Sequence, residues 1–227
     1  LAALASPEKF TGVAASITDT TLASVSATSK AVTGSHSMEI QTLAQSQKLK
    51  SANFATTGTT IGSGTMTIQF GTYSGGTFTL NPDKAAQSIT ISPNNSSLAG
   101  IRDAINLADA GVTASIVNDG SGNRLVIASE DTGLSNALKI TTTDADGNNT
   151  DNAGLSQLVY DASTGGTTNL AETVSASNAT LVIDGISISK ASNKITDALE
   201  GVTLDLLKTN VGSTTTLNLT RDTASIE

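Results

Sequence analysis

A single histidine, His36, stands between two serines, Ser35 and Ser37. Any imidazole-dependent nucleophilic or metal chemistry must be built on it. Adjacency alone does not make a catalytic couple, because neighbours on a strand point to opposite faces. The elbow G-x-S-x-G, which presents a nucleophilic serine, occurs nowhere in the chain. His36 therefore reads as a strand or loop histidine without a chemical role. Residues 144–151, DADGNNTD, have the oxygen density of a calcium loop. Against the EF-hand pattern the glycine comes too early, and Leu155 stands where the bidentate glutamate belongs. A solvated loop is the reading, with a weak irregular cation site as the alternative. Residues Gly120, Gly122 and Arg124 suggest a phosphate cradle, but no helix begins after them, so the amide nest and helix dipole of a P-loop are missing. A hairpin turn is expected there. Asp103, Asp109, Asp119, Glu130 and Asp131 are spread along a helix and turns, and no pair of them stands out as a glycosidase couple. No catalytic, cofactor-binding or metal-ligating residue is assigned, and the chain is not read as an enzyme.

The elements around these residues are clearest in residues 89–129. Ile89 and Ile91 alternate with Thr90 and Ser92, the period of a half-buried strand. Ser96 or Ser97 stands where a helix N-cap should. Leu98, Ile101 and Ile105 follow at helical spacing, and Gly111 is expected to supply the left-handed cap. Val112, Ala114 and Ile116 alternate again. Residues 118–123 form a turn, and Leu125 and Ile127 return. The unit reads as a small helix laid on a hairpin. Residues 186–204 echo this grammar, with a short helix expected over 195–199. A diverged repeat and a common solution reached twice both account for the echo.

Elsewhere Met38, Ile40 and Thr42 mark a strand, with an extended segment after it. Met66, Ile68 and Phe70 mark another, continued by Phe78 and Leu80. Leu1 to Ala5 reads as a helical turn stopped by Pro7, and residues 10–30 as extended or irregular. The Gly/Thr run at 56–64 and residues 167–177 are natural crossing points between domains. Asp184-Gly185 is a hairpin turn, since primed turns demand positive φ. The chain starts without Met and stops just after a strand-like run, so it is read as a fragment.

Composition narrows the classes. Apolar residues make up 37% and charged residues 14%, and four Phe, two Tyr and no Trp leave the cores to Val, Ile, Leu and Ala. That favours a β-rich fold with modest cores over a deep aromatic pocket. The formal charge is −8 and the twelve Lys and Arg are scattered, which does not supply a nucleic-acid footprint. No apolar run is long enough for a membrane-spanning helix. Cysteine is absent, which excludes disulfides and thiolate sites.

Residues 97–129, SLAGIRDAINLADAGVTASIVNDGSGNRLVIAS, closely resemble the flagellin hook IN motif. Residues 44–51, AQSQKLKS, resemble the opening of the second domain in the family of flagellar filament-cap proteins, hook-associated protein type 2. Ile61-Gly-Ser-Gly64 with Phe70-Gly71-Thr-Tyr73 is similar to the start of that family's outer domain. Residues 178–185, Ser192-Asn193 and residues 201–204 resemble the return into its second domain. His36 departs from the aromatic expected at its position. The resemblance implies a mainly β fold with short helices (α+β), as two plate domains, the outer inserted in the inner. Residues 1–29 would be a stub of the helical leg region, 30–57 with 176–227 the inner plate, and 58–175 the outer plate. It also implies a structural protein exported through the flagellar type III apparatus. That protein would form a ring-like homo-oligomer at the filament tip, where it promotes flagellin insertion and prevents flagellin loss. Implied partners are other copies, flagellin and, for the full-length protein, an export chaperone. An adhesin module binding host mucin or glycan, or another flagellin-type surface domain, is the alternative. Loops 118–123 and 144–151 are the expected contact loops, because function tends to sit on loops held by a rigid scaffold.

Overall fold

The structure is a computed structural model that describes residues 12–222. The chain divides into two compact units, and the second, Gln45–Ser177, is inserted in the first. Strands are numbered along the chain. In the first unit, a five-stranded antiparallel sheet runs β1 (Val13–Ile17), β16 (Thr215–Arg221), β3 (Gly34–Thr42), β12 (Ala179–Ile183), β13 (Ile186–Lys190). A three-stranded sheet runs β14 (Lys194–Ile195), β15 (Val202–Leu206), β2 (Ala23–Ala27). Alternation explains the packing: Met38 and Ile40, Leu181 and Ile183, Val202 and Leu204, and Leu217 and Leu219 all turn to one core shared by both sheets. Asp184 and Gly185 both take positive φ, 49° and 81°, the signature of the two-residue turn expected between β12 and β13.

The second unit has its own core. One sheet places β5 (Gly64–Ser74) beside β10 (Ala137–Asp144), while β6 (Thr77–Leu80) and β7 (Gln87–Ile91) pair with different parts of β5. The other runs β11 (Ala171–Val174), β4 (Lys48–Lys50), β9 (Asn123–Ser129), β8 (Val112–Asn118). The single α-helix among the described residues, α1 (Leu98–Leu107), buries Leu98, Ile101 and Ile105 against this core. Its N-cap is Ser97, whose side chain accepts from the amide of Gly100 at 3.1 Å.

Five local expectations are corrected. The helix ends at Leu107, and Asp109, with φ 47°, takes the cap position expected of Gly111; Gly111 is left-handed as expected, with φ 72°, but lies two residues further on. Residues 195–199 form no helix. Ile195 closes β14 and a turn follows, since five residues before Gly201 are too few to offset helix nucleation. The echo of the central unit therefore stops at the strands. Residues 12–29, expected in a helical stub, instead supply β1 and β2 to the first unit. Residues 1–11, which include the expected turn at Leu1 to Ala5, lie outside the described residues. Residues 45–57, expected in the inner plate, belong to the second unit, because β4 pairs with β9 and β11. The run at 56–64 consequently lies within that unit, with Thr60 bridging Ser97, and not at a crossing.

Candidate functional site

Each residue with chemical potential is placed by the strands that carry it. His36 lies on β3, in the same row as Met38 and Ile40, at the margin of the first core. Its Nδ1 is 2.7 Å from Asp184 Oδ2 in the β12–β13 turn. The other oxygen, Oδ1, accepts from the Ser37 amide at 2.8 Å and from the Ser37 hydroxyl at 3.3 Å. The His36 and Ser37 hydrogen bonds hold the Asp184 carboxyl below the usual carboxylate range. A serine nucleophile needs the imidazole as its base. Here Ser37 donates to the carboxylate, and Ser35 donates to Asn218 at 3.0 Å. Ser, His and Asp therefore meet as a clamp that fastens a hairpin turn to β3. Asp184 lies 148 residues from His36, and no spacing signalled it.

The acidic loop turns inward on itself. Asp144 is buried and accepts from the Ser156 amide at 2.7 Å. Asp146 accepts from the Asn148 amide at 2.9 Å, and Asp151 from the Ser156 hydroxyl at 2.6 Å. Among the described residues no group of three or more His, Cys, Asp or Glu is placed to hold a metal ion. At the β8–β9 turn, Asp119 accepts from the Ser121 hydroxyl at 2.6 Å and amide at 2.9 Å, and from Arg124 Nε at 2.6 Å. The Ser121 and Arg124 bonds drive the Asp119 carboxyl well below its ordinary value. Asn53 donates to the Ser121 carbonyl at 2.7 Å, so this loop is a fastened turn with its polar groups engaged. Asp103 pairs with its neighbour Arg102, and Asp131 with Lys84 at 2.6 Å. Asp103, Asp119 and Asp131 are therefore scattered surface groups.

One constellation in the second unit was not legible in the sequence. Tyr73 on β5, Tyr160 and Glu172 on β11 line an open cavity of about 220 Å³. Gln47, only 1% exposed, donates Nε2 to one Glu172 oxygen and accepts from the Leu138 amide at 2.6 Å. The Ser175 hydroxyl donates to the other Glu172 oxygen at 2.8 Å. Tyr73 donates to the Leu138 carbonyl at 3.2 Å and meets Tyr160 edge-on, with centroids 6.3 Å apart. Burial pushes both tyrosine hydroxyls up, and the nearby Glu172 charge adds to it. The four residues are scattered from position 47 to 172, so no motif could announce them.

Comparison with known proteins follows this division of the chain. Residues 1–47 match the family description "Flagellar hook-associated protein 2 N-terminus", residues 73–131 "Flagellin hook IN motif", and residues 176–227 "Flagellar hook-associated protein 2 C-terminus". A B-type flagellar hook-associated protein 2 of Pseudomonas aeruginosa is 34% identical over 100% of this chain and 47% of its own length. A flagellar hook-associated protein 2 of Escherichia coli O157:H7 is 38% identical over 78% of this chain and 36% of its own. The chain thus spans half or less of these curated relatives. The crystal structure of the D2–D3 domains of the flagellar cap protein FliD from Escherichia coli superposes with a TM-score of 0.79 at 35% identity, covering 93% of this chain and 100% of that one. The D1–D2–D3 structure from the same species gives 0.83 at 36% identity, covering 99% of this chain and 59% of that one.

Proposed function

The chain belongs to the flagellar hook-associated protein 2 family, and from that membership we propose that it is the plate portion of a protein that caps the flagellar filament. The observation that carries the reading is the full coverage of the D2–D3 cap-protein domains by these two units. The inserted unit corresponds to an outer plate and the split unit to an inner plate. The whole protein passes through the flagellar export apparatus with the help of an export chaperone. It gathers into a ring of identical copies at the filament tip, outside the cell. There it holds flagellin subunits until they fold into place.

The geometry supports a role without bond-making chemistry. The Ser37–His36–Asp184 cluster spends its hydrogen bonds on a turn, and the carboxylates of loops 118–123 and 144–151 spend theirs on backbone amides and neighbouring hydroxyls. Each unit, with its own core and fastened loops, is a scaffold that can present a surface to a partner. The relatives named above are hook-associated and cap proteins, and none is named an adhesin.

The test is genetic. In the source bacterium, deletion of the whole gene should give short filaments and monomeric flagellin in the culture medium, with both reversed by the intact gene. Normal filament length and flagellin retention in the deletion strain would overturn the proposal.

A further inference from the structure

Glu172 carries an unbalanced charge in a shaped environment. Among the described residues no Lys, Arg or His pairs with it, and no basic residue lines its cavity. The nearby Lys139 is committed to Asp161 at 2.7 Å. The carboxylate is nonetheless held in place, one oxygen by Gln47 and the other by Ser175. A carboxylate has room for about four hydrogen bonds. With one donor on each oxygen, one acceptor site per oxygen stays open. That is the arrangement a planar guanidinium satisfies with two parallel N–H groups. The walls add a second attraction, because tyrosine rings draw cations to their faces and guanidinium planes stack on them. A solvated ammonium has one compact charge and no plane, and matches this geometry less well.

We propose that the cavity walled by Tyr73, Tyr160 and Glu172 is a binding site for a guanidinium group, occupied in the cell by an arginine side chain of a partner protein. The inference stands apart from the capping role, since it rests only on the geometry of this cavity.

The chain supplies its own reporter. It has two tyrosines and no tryptophan, and both tyrosines line the cavity. Its ultraviolet emission is therefore a direct signal from the site. The 227-residue protein would be titrated with N-acetyl-arginine amide, N-acetyl-lysine amide and the uncharged isostere N-acetyl-citrulline amide at constant ionic strength. The arginine probe should give a saturable change in tyrosine emission, with half-saturation roughly tenfold or more below that of either other probe. Glu172→Gln should abolish that preference. Glu172 is exposed, and glutamine keeps an oxygen for one of the two donors, so the variant should retain its circular dichroism spectrum. No saturable change with the arginine probe, or an equal response to citrulline or lysine, would overturn the proposal. So would an unaltered arginine preference in a folded Glu172→Gln variant. The three-probe comparison decides the matter in the unsubstituted protein even if the variant fails to fold.

Discussion

Asp184 is the residue on which the first unit's edge hairpin is fastened, since it alone receives His36 and Ser37 together. Its carboxyl titrates below the usual range, as do Asp119, Asp161 and Asp197. For Asp161, burial opposes ionisation, and the bonds from Lys139 and Ser163 outweigh it. A carboxyl whose folded value is depressed adds stability that is fully present above its unfolded value and lost as pH falls through the folded one. Thermal stability should therefore be level from neutral pH down to about 4 and decline below it. Asp184→Asn should lower the melting temperature at pH 7 and leave a shallower decline in acid, measured by circular dichroism. An equal loss at every pH would show that the carboxylate charge does not matter. The tyrosines run the other way. Burial raises both, so their contribution is present below about pH 10 and is lost as the pH rises above it. A spectrophotometric titration should find neither hydroxyl ionising near pH 10 while the protein stays folded. Ionisation of either at the ordinary value, without unfolding, would contradict the cavity's burial of both rings.

The helix α1 shows how an element's ends and neighbours override its intrinsic preferences. Removing its cap with Ser97→Ala should cost about 1 kcal/mol in urea denaturation, because the Gly100 amide loses its acceptor. Gly100→Ala is more discriminating. Helix propensity alone predicts a gain of about 1 kcal/mol. A Cβ at Gly100, however, would meet the backbone of Asn95, with the carbonyl carbon at 2.7 Å, in the turn that enters the helix. The substitution should destabilise, and a gain would show that the turn yields freely. At the other end, Asp109 carries a left-handed backbone without glycine, while a Cβ on Gly111 would press the Phe70 ring at 3.0 Å. Gly111, with φ 72°, is needed for both backbone freedom and space, two positions later than capping logic assigns it.

For the whole molecule, the insertion is closed at its base. Gln45 and Ser177 exchange both backbone hydrogen bonds, at 2.9 and 3.1 Å. A segment whose two ends already meet, with its own core, is expected to fold alone. Residues 45–177 expressed by themselves should unfold cooperatively in urea, and a broad, non-cooperative transition would refute this. In the first unit, β3 and β12 are antiparallel neighbours up to Thr42 and Thr180. Replacing residues 45–177 by a short turn should therefore leave them as a hairpin.

The sequence by itself determined most of the strands, the helix with its apolar stripe, the hairpin turn at Asp184-Gly185 and the resemblance to a family, because alternation and turn chemistry are local. Met38 and Ile40 face a core whatever their partners turn out to be. Tertiary structure alone decided the partnerships. Nothing local in the AQSQKLKS segment says that Lys48 to Lys50 pairs with β9 and β11, because strand pairing is settled by which edges are left open when the cores close. Nor could spacing show Asp184 beside His36, or Glu172 beside Tyr73 and Tyr160. His36 and Asp184 lie 148 positions apart, and Tyr73 and Glu172 lie about a hundred apart, so only the packed sheets bring them within reach of one another.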